Sequence, residues 1–293
     1  MYINNSIFYS IEELKEFLLD NKILTNSVIC KKCQNEMNLT IYCKKFLIYR
    51  CKNGKCKCRK SITSSKIHVC SLLQIFYLIL TGATYKQLEL WHGLAQATIW
   101  KYRKELRKAY KMYMSKRPVL VGGLDVVVEI DETVLCRRKV IRNPTTTDDY
   151  AQDTVWIVGA VDNTPNKNFL LKRVENRRIE TLTNDLEGLI HVGSMLRSDG
   201  HPSYPSFAAN LHCSHSVVNH TNGFINEEGI HTNNIEAFWS HLKSSMRKEN
   251  GVKRANIDVW LDEYTFKRRY LMNLDSKELG DMFIELVGYL LNE

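Results

Sequence analysis

The spacing of apolar residues along the chain changes twice, and each change marks a different kind of structure. Ser10 followed by Ile11-Glu-Glu-Leu-Lys-Glu-Phe-Leu-Leu reads as an N-capped amphipathic helix. Short apolar patches at Leu39-Thr-Ile-Tyr and Phe46-Leu-Ile-Tyr read as small strands. From Cys70 the period turns helical, with Leu72, Leu73, Ile75, Phe76, Ile79 and Leu80 on one stripe that Thr81-Gly82 ends. A short helix over 85–91 and a longer one over 96–114 follow, parted by a turn at Gly93. Pro118 and Gly122-Gly123 form the best boundary. Beyond them the runs 126–135, 155–162 and 169–174 are β-rich, 178–191 has helical spacing, and 194–198 and Val217-Val218 suggest further strands. Helices over 234–248, 256–272 and 276 to the end complete an α/β pattern. The expected divisions are 1–66, 67–118 and 119–293, the last including the C-terminal helices.

Composition narrows the class. The chain has 293 residues, 44% of them hydrophobic, enough for a sizeable core. No apolar run reaches the ~18 residues of a membrane span, and the first residues lack a secretory pattern. The expectation is a soluble, intracellular protein with no membrane partner. The formal charge of +9 is unevenly spread: residues 1–118 hold 22 Lys/Arg against 7 Asp/Glu, and residues 119–293 hold 19 against 25. A basic half suits phosphate backbones, where each neutralised phosphate releases counterions, although a basic face can also simply be solvated.

Six of the nine cysteines fall between Cys30 and Cys58. In an intracellular chain such a cluster points to zinc more than to disulfides. Cys30-Lys-Lys-Cys33 is a two-residue knuckle, and Cys51 follows after 17 residues, a zinc-ribbon spacing. Cys56 and Cys58 both compete for the fourth position, Cys43 reads as a bystander, and Cys70, Cys136 and Cys213 read as small buried hydrophobes.

The helix, turn, short helix, turn, longer helix order of 67–118 is that of a helix-turn-helix unit, whose last helix enters the major groove. Lys101, Arg103, Lys104, Arg107 and Lys108 on that helix are the expected DNA contacts. Further on, Asp131 lies at the far end of an apolar strand, Asp199 ends another, and Glu236 lies on a helix with Ile235, Phe238, Trp239, Leu242 and Met246 towards the core. Each acid alone reads as an ordinary surface carboxylate. Together they could hold two Mg²⁺ about 4 Å apart. Glu132 is expected on the opposite face of its strand from Asp131.

Val128-Glu-Ile-Asp-Glu-Thr, Trp156-Ile-Val-Gly-Ala-Val, Ser198-Asp-Gly-His-Pro-Ser-Tyr, Val218-Asn-His and His231-Thr-Asn-Asn-Ile-Glu-Ala-Phe-Trp-Ser-His-Leu-Lys resemble successive signature blocks of the Merlin superfamily of transposases and related bacterial insertion-sequence transposases with the ISXO-type domain. The resemblance runs from about Cys30 to Tyr270. It implies an RNase H-like core behind the zinc ribbon and helix-turn-helix, with Asp131, Asp199 and Glu236 as the Mg²⁺ or Mn²⁺ ligands of an Asp–Asp–Glu site. It also implies Cys30, Cys33, Cys51 and Cys58 as structural zinc ligands, and Lys243, seven residues after Glu236, as a phosphate contact.

The implied activity is cut-and-paste transposition: cleavage at terminal inverted repeats and strand transfer into target DNA. The implied partners are that double-stranded DNA and a second copy of the chain, in the nucleus of a eukaryotic host or otherwise in the cytoplasm. A DNA-binding regulator that no longer cuts and a nuclease without strand transfer are the rival readings. Zinc catalysis through His201, His220 and His231 is disfavoured by their spacing.

Overall fold

Ser10 accepts a hydrogen bond from the Glu13 amide and so starts helix α1 (Ile11–Asp20), which buries Ile11, Leu14 and Leu18. The computed structural model describes residues 3–136, 155–218, 232–249, 251–272 and 274–291, which belong to two compact units. In the first, β1 (Ser27–Ile29), β2 (Glu36–Tyr42), β3 (Phe46–Cys51) and β4 (Arg59–Ser61) form an antiparallel meander in chain order. Three helices follow: α2 (Val69–Leu80), α3 (Tyr85–His92) and α4 (Gln96–Ser115). Thr84 and Gln87 form a capping box at the start of α3, and left-handed Gly93 ends it.

The second unit, 117–269, holds a five-stranded sheet in the order β7-β6-β5-β8-β9. Its strands are β5 (Val127–Cys136), β6 (Val155–Asp162), β7 (Phe169–Val174), β8 (Met195–Ser198) and β9 (Ser214–Val217). The first three pair antiparallel; β8 runs parallel to β5, and β9 parallel to β8. The parallel connections pass through α5 (Ile179–Leu186) and α6 (Ser203–Asn210). Because side chains alternate across a strand, the sheet has two cores. Val128, Ile130, Val158 and Ala160 pack with Leu182, Leu186, Tyr204 and Phe207 of α5 and α6. Val155, Ile157 and Val161 pack with Ile235, Phe238, Trp239 and Trp260 of α7 (Asn233–Lys248) and α8 (Ile257–Tyr270).

Two expectations change, and one helix is new. The helix read over 178–191 stops at Leu186, because Gly188 turns left-handed (φ 72°) and Ile190 bridges to Val121 instead. Helix α6 lies in a stretch to which the sequence pattern assigned no element; Pro202 and Pro205 sit at its start, where amides lack intrahelical partners anyway. The C-terminal helix α9 (Ser276–Leu291) belongs with the first unit rather than the second. It packs on α2 and α4. Helix α2 is apolar nearly all round, with nine buried residues, so it needs more cover than its neighbours in sequence provide. Among the described residues no helix is long and apolar enough to cross a membrane.

Phe283 of α9 is fully buried, its ring 5.3 Å from Tyr77 and 6.1 Å from Phe8. Phe283→Ala should destabilise the first unit by about 3–5 kcal/mol. Hydrogen exchange should quicken in α2 and α4 and hold steady in the sheet of the second unit. Unchanged exchange in α2 would detach α9 from that core.

Candidate active site and cysteine centre

Alternation along β5 sends Glu129 and Asp131 to the α7 face, and Glu132 to the α6 face, as the sequence led us to expect. Asp131 pairs across the ladder with Gly159 of β6. The indole of Trp239 lies on that glycine, so close that a Cβ there would come within 2.5 Å of the ring. Only glycine lets the indole sit low enough for its Nε1 to donate to Asp131 Oδ2 at 2.8 Å. Asp199 follows the last residue of β8, and its Oδ1 accepts from the His201 amide at 3.0 Å. Glu236 stands exposed in the first turn of α7, three residues before Trp239.

Burial raises the Asp131 carboxyl above its ordinary range; the Trp239 and Glu132 N–H groups oppose this, and the charges of Asp199 and Glu236 add to it. The three acids therefore share one field, although among the described residues no trio of carboxylates closes to within 4.8 Å. An all-oxygen donor set of this kind has the chemistry that hard divalent ions fit.

Beneath it, burial pushes Glu132 up to about 7; the Tyr204 hydroxyl and Arg177 lower it, while Asp131 and Asp199 raise it. Tyr204 is wholly buried. It lies beside Glu132, yet Tyr204 Oη and Glu132 Oε1 fall short of hydrogen-bond geometry. Sequence reasoning missed the parts played by Glu129, Gly159 and Tyr204, and took Trp239 for core alone. The available signal was Glu129 itself, an acid amid Val126-Val-Val and Ile130 that needs a buried partner.

The cysteine centre differs from expectation in one ligand. The thiols of Cys30, Cys33, Cys51 and Cys56 lie within 4.8 Å of one another, and they are the one such set among the described residues. Cys56 thus stands where Cys58 was expected. The Cys56 amide donates to Asn53 O at 3.0 Å, and left-handed Lys57 (φ 53°) swings the chain onward, so the Cys56 thiol comes to 3.8 Å from Cys30. Cys33 lies 3.4 Å from Cys51. Amides of Cys33 and Lys32 lower the Cys30 thiol, and the backbone and side-chain N–H groups of Asn35 lower Cys33 to about 6. Burial raises Cys51. The Cys58 amide lowers Cys56, but the Cys58 thiol, burial and the other thiols outweigh it and hold Cys56 at about 12. Four crowded thiols of this kind could hold a tetrahedral zinc ion. Cys43 is exposed in the β2–β3 turn, Cys70 is buried, Cys213 is half-buried, and the Cys136 side chain lies outside the described residues.

On α4 the basic residues split. Lys101, Lys104 and Lys108 are exposed. Arg103 and Arg107 are 9% and 8% exposed, which corrects their expected place on a solvent-facing surface. They follow the buried stripe of Ile99, Tyr102, Leu106, Tyr110 and Tyr113, and the Arg103 guanidinium stacks 4.9 Å over the Tyr85 ring of α3. Lys243 is half-buried on α7. His220 and His231 lie outside the described residues, and His201 joins no ligand cluster.

The second unit is an α/β domain in which two neighbouring strands and a helix carry Asp131, Asp199 and Glu236. Residues 122–269, half of the chain, match the model of the ISXO2-like transposase domain, and the chain belongs to that family. The match falls within the second unit. No curated protein matches the chain. Among solved structures, a pre-cleavage Mos1 transpososome is similar at 11% identity and a TM-score of 0.29, over 74% of this chain and 75% of that one. A Mos1 transposase paired-end complex with the left transposon end is similar at 13% and 0.29, over 73% and 74%. The Mos1 Strand Transfer Complex is similar at 13% and 0.26, over 73% of each. Likeness at this level fixes neither fold nor chemistry.

Two outcomes follow. Cys56→Ser should lower zinc, measured by plasma mass spectrometry, from about one per chain to a small fraction, and Cys58→Ser should leave it unchanged; the reverse would restore Cys58 as the ligand. For Glu132, a carboxyl raised from its ordinary 4.5 to about 7 stabilises the fold fully below 4.5, and that contribution is lost as pH rises through 7. Glu132→Gln, without added divalent cations, should therefore gain up to about 3 kcal/mol in denaturant unfolding at pH 8 and under about 1 at pH 5. Equal gains at both pH values would contradict the shift.

Proposed function

We propose that the chain is a DNA transposase of the Merlin group that cleaves terminal inverted repeats and transfers the freed ends to target DNA. The observation that carries this reading is the transposase-family domain over residues 122–269, whose sheet and helix α7 carry Asp131, Asp199 and Glu236, with the charges of the last two acting on Asp131. The sheet order, with three antiparallel strands followed by two parallel ones, suits an RNase H-like core. Mg²⁺ or Mn²⁺ held by the three acids would supply charge neutralisation at the scissile phosphate and acidify the attacking hydroxyl.

The chain's own residues set the geometry. Trp239 holds Asp131 by its Oδ2, and the His201 amide holds Asp199 by its Oδ1. Water first breaks a phosphodiester and leaves a 3′-hydroxyl; that hydroxyl then attacks a target phosphodiester, forming one such bond as it breaks another and releasing a target 3′-oxygen. Lys101, Lys104 and Lys108 are the phosphate contacts of a helix-turn-helix formed by α2, α3 and α4, with the zinc ribbon as a second basic element and Lys243 as a contact near the acids. Two copies on DNA bring two ends together, in the nucleus of a eukaryotic host or in the cytoplasm otherwise.

The test incubates the protein with a pre-cut element end, a target plasmid and Mg²⁺. Joined product is expected. Asp131→Asn, Asp199→Asn and Glu236→Gln should each lower it at least ~10³-fold, several kcal/mol of transition-state stabilisation, while end binding persists. Nicking without joining would make the chain a nuclease, binding alone would make it a regulator, and near-normal joining by folded Asp199→Asn would remove the acidic trio from the chemistry.

A further inference from the structure

Glu129 is 2% exposed, near the start of the central strand β5. An acid there is costly unless its charge meets donors. Its Oε2 accepts from the amides of Asn234 at 2.8 Å and Ile235 at 3.0 Å, and its Oε1 accepts from Asn234 Nδ2 at 2.7 Å. These amides open helix α7, where backbone N–H groups lack intrahelical partners and the helix dipole favours an anion. The N-cap residue of α7, Thr232, supplies no side-chain cap. The cap comes instead from a strand more than a hundred residues earlier in the chain.

The tie to Asp131 makes this more than a cap. Two strand residues, from Glu129 to Asp131, advance about 6.6 Å. Four helix residues, from Ile235 to Trp239, advance about 6 Å. Strand and helix thus run in step, with Glu129 gripping the helix start and Asp131 gripping Trp239 one turn on. Glu236 lies between the two grips. A slip of α7 by one residue would break both and carry Glu236 about 1.5 Å along the axis and some 100° around it.

We infer that Glu129 is a positioning residue of the site: it clamps the start of α7 so that Glu236 stands in register with Asp131 and Asp199. The inference rests on the transposase reading for its catalytic consequence, but the clamp can be read out without catalysis.

The test uses the full chain and its Glu129→Gln and Glu129→Ala variants. Amide exchange at 234–236 should quicken by about tenfold in Gln and more in Ala, the scale of a lost cap. Strand transfer should fall in the same order, with Gln a partial rescue of Ala, and the Mg²⁺ concentration for half-maximal joining should rise. End binding and the melting of the first unit should stay put. Unchanged exchange at 234–236 in Glu129→Gln would overturn the clamp whatever the activity. Loss of joining that only tracks the folded fraction would reduce Glu129 to a stabilising residue. A wild-type chain that never joins DNA, with exchange behaving as expected, would sink the transposase reading and leave the clamp standing.

Discussion

Strand β5 lies between two partner strands and under two helical layers, and still carries Glu129, Asp131 and Glu132. Taking a carboxylate out of water is expensive unless donors or a cation meet it, and much of the second unit is arranged around that cost. Glu129 is met by three N–H donors at the start of α7. Asp131 is met in part, by the indole of Trp239. Glu132 is met least, with one oxygen lacking a hydrogen-bond partner among the described residues, beside a buried tyrosine. The gradient runs from a structural acid to acids whose remaining charge is available to something else.

This gradient also explains small residues that would otherwise look incidental. Gly159 is needed because the donor to Asp131 is a bulky indole, and any Cβ would push that ring off the sheet. Asp162, at the end of β6, offers a contrast: it is 1% exposed and accepts from Gly122, Thr164 and Asn168, so its charge is spent on closing the β6–β7 turn and tying in the entry to the domain. Buried acids of one sheet thus divide between holding the scaffold and lining the site.

The first unit meets the same problem with sulfur. Four thiols gathered within 4.8 Å cannot all be favourably placed as neutral donors, and Asn35 and nearby amides already bias Cys30 and Cys33 towards the thiolate. Crowding of this kind, in a stretch that has nine basic residues and no acid between Lys44 and Lys66, suits a cation-held ribbon with a positive surface.

Much was legible from the sequence because it depends on local rules. β-rich runs and period-3.6 patterns marked β6 and β7 to the residue and α4 and α7 within one, and the charge split separated a basic half from an acidic one. Asp131 and Asp199 stood out because carboxylates at the ends of apolar runs conflict with burial, and Glu236 because its helix carries a motif of the family resemblance. What local rules could not reach was whatever depends on the partner across space. Cys56 replaces Cys58 because a single left-handed residue, Lys57, redirects the chain. Arg103 and Arg107 leave the surface because an aromatic stripe turns that face of α4 inward. Helix α9 joins α2 and α4 because an apolar helix needs cover from wherever the chain can supply it. Glu129 meets α7 only once β5 and the helix lie side by side in matching step. Sequence determined which residues carry charge and which must be buried; tertiary structure decided which charge is met by which donor, since desolvation is offset by neighbours in space and not by neighbours in the chain.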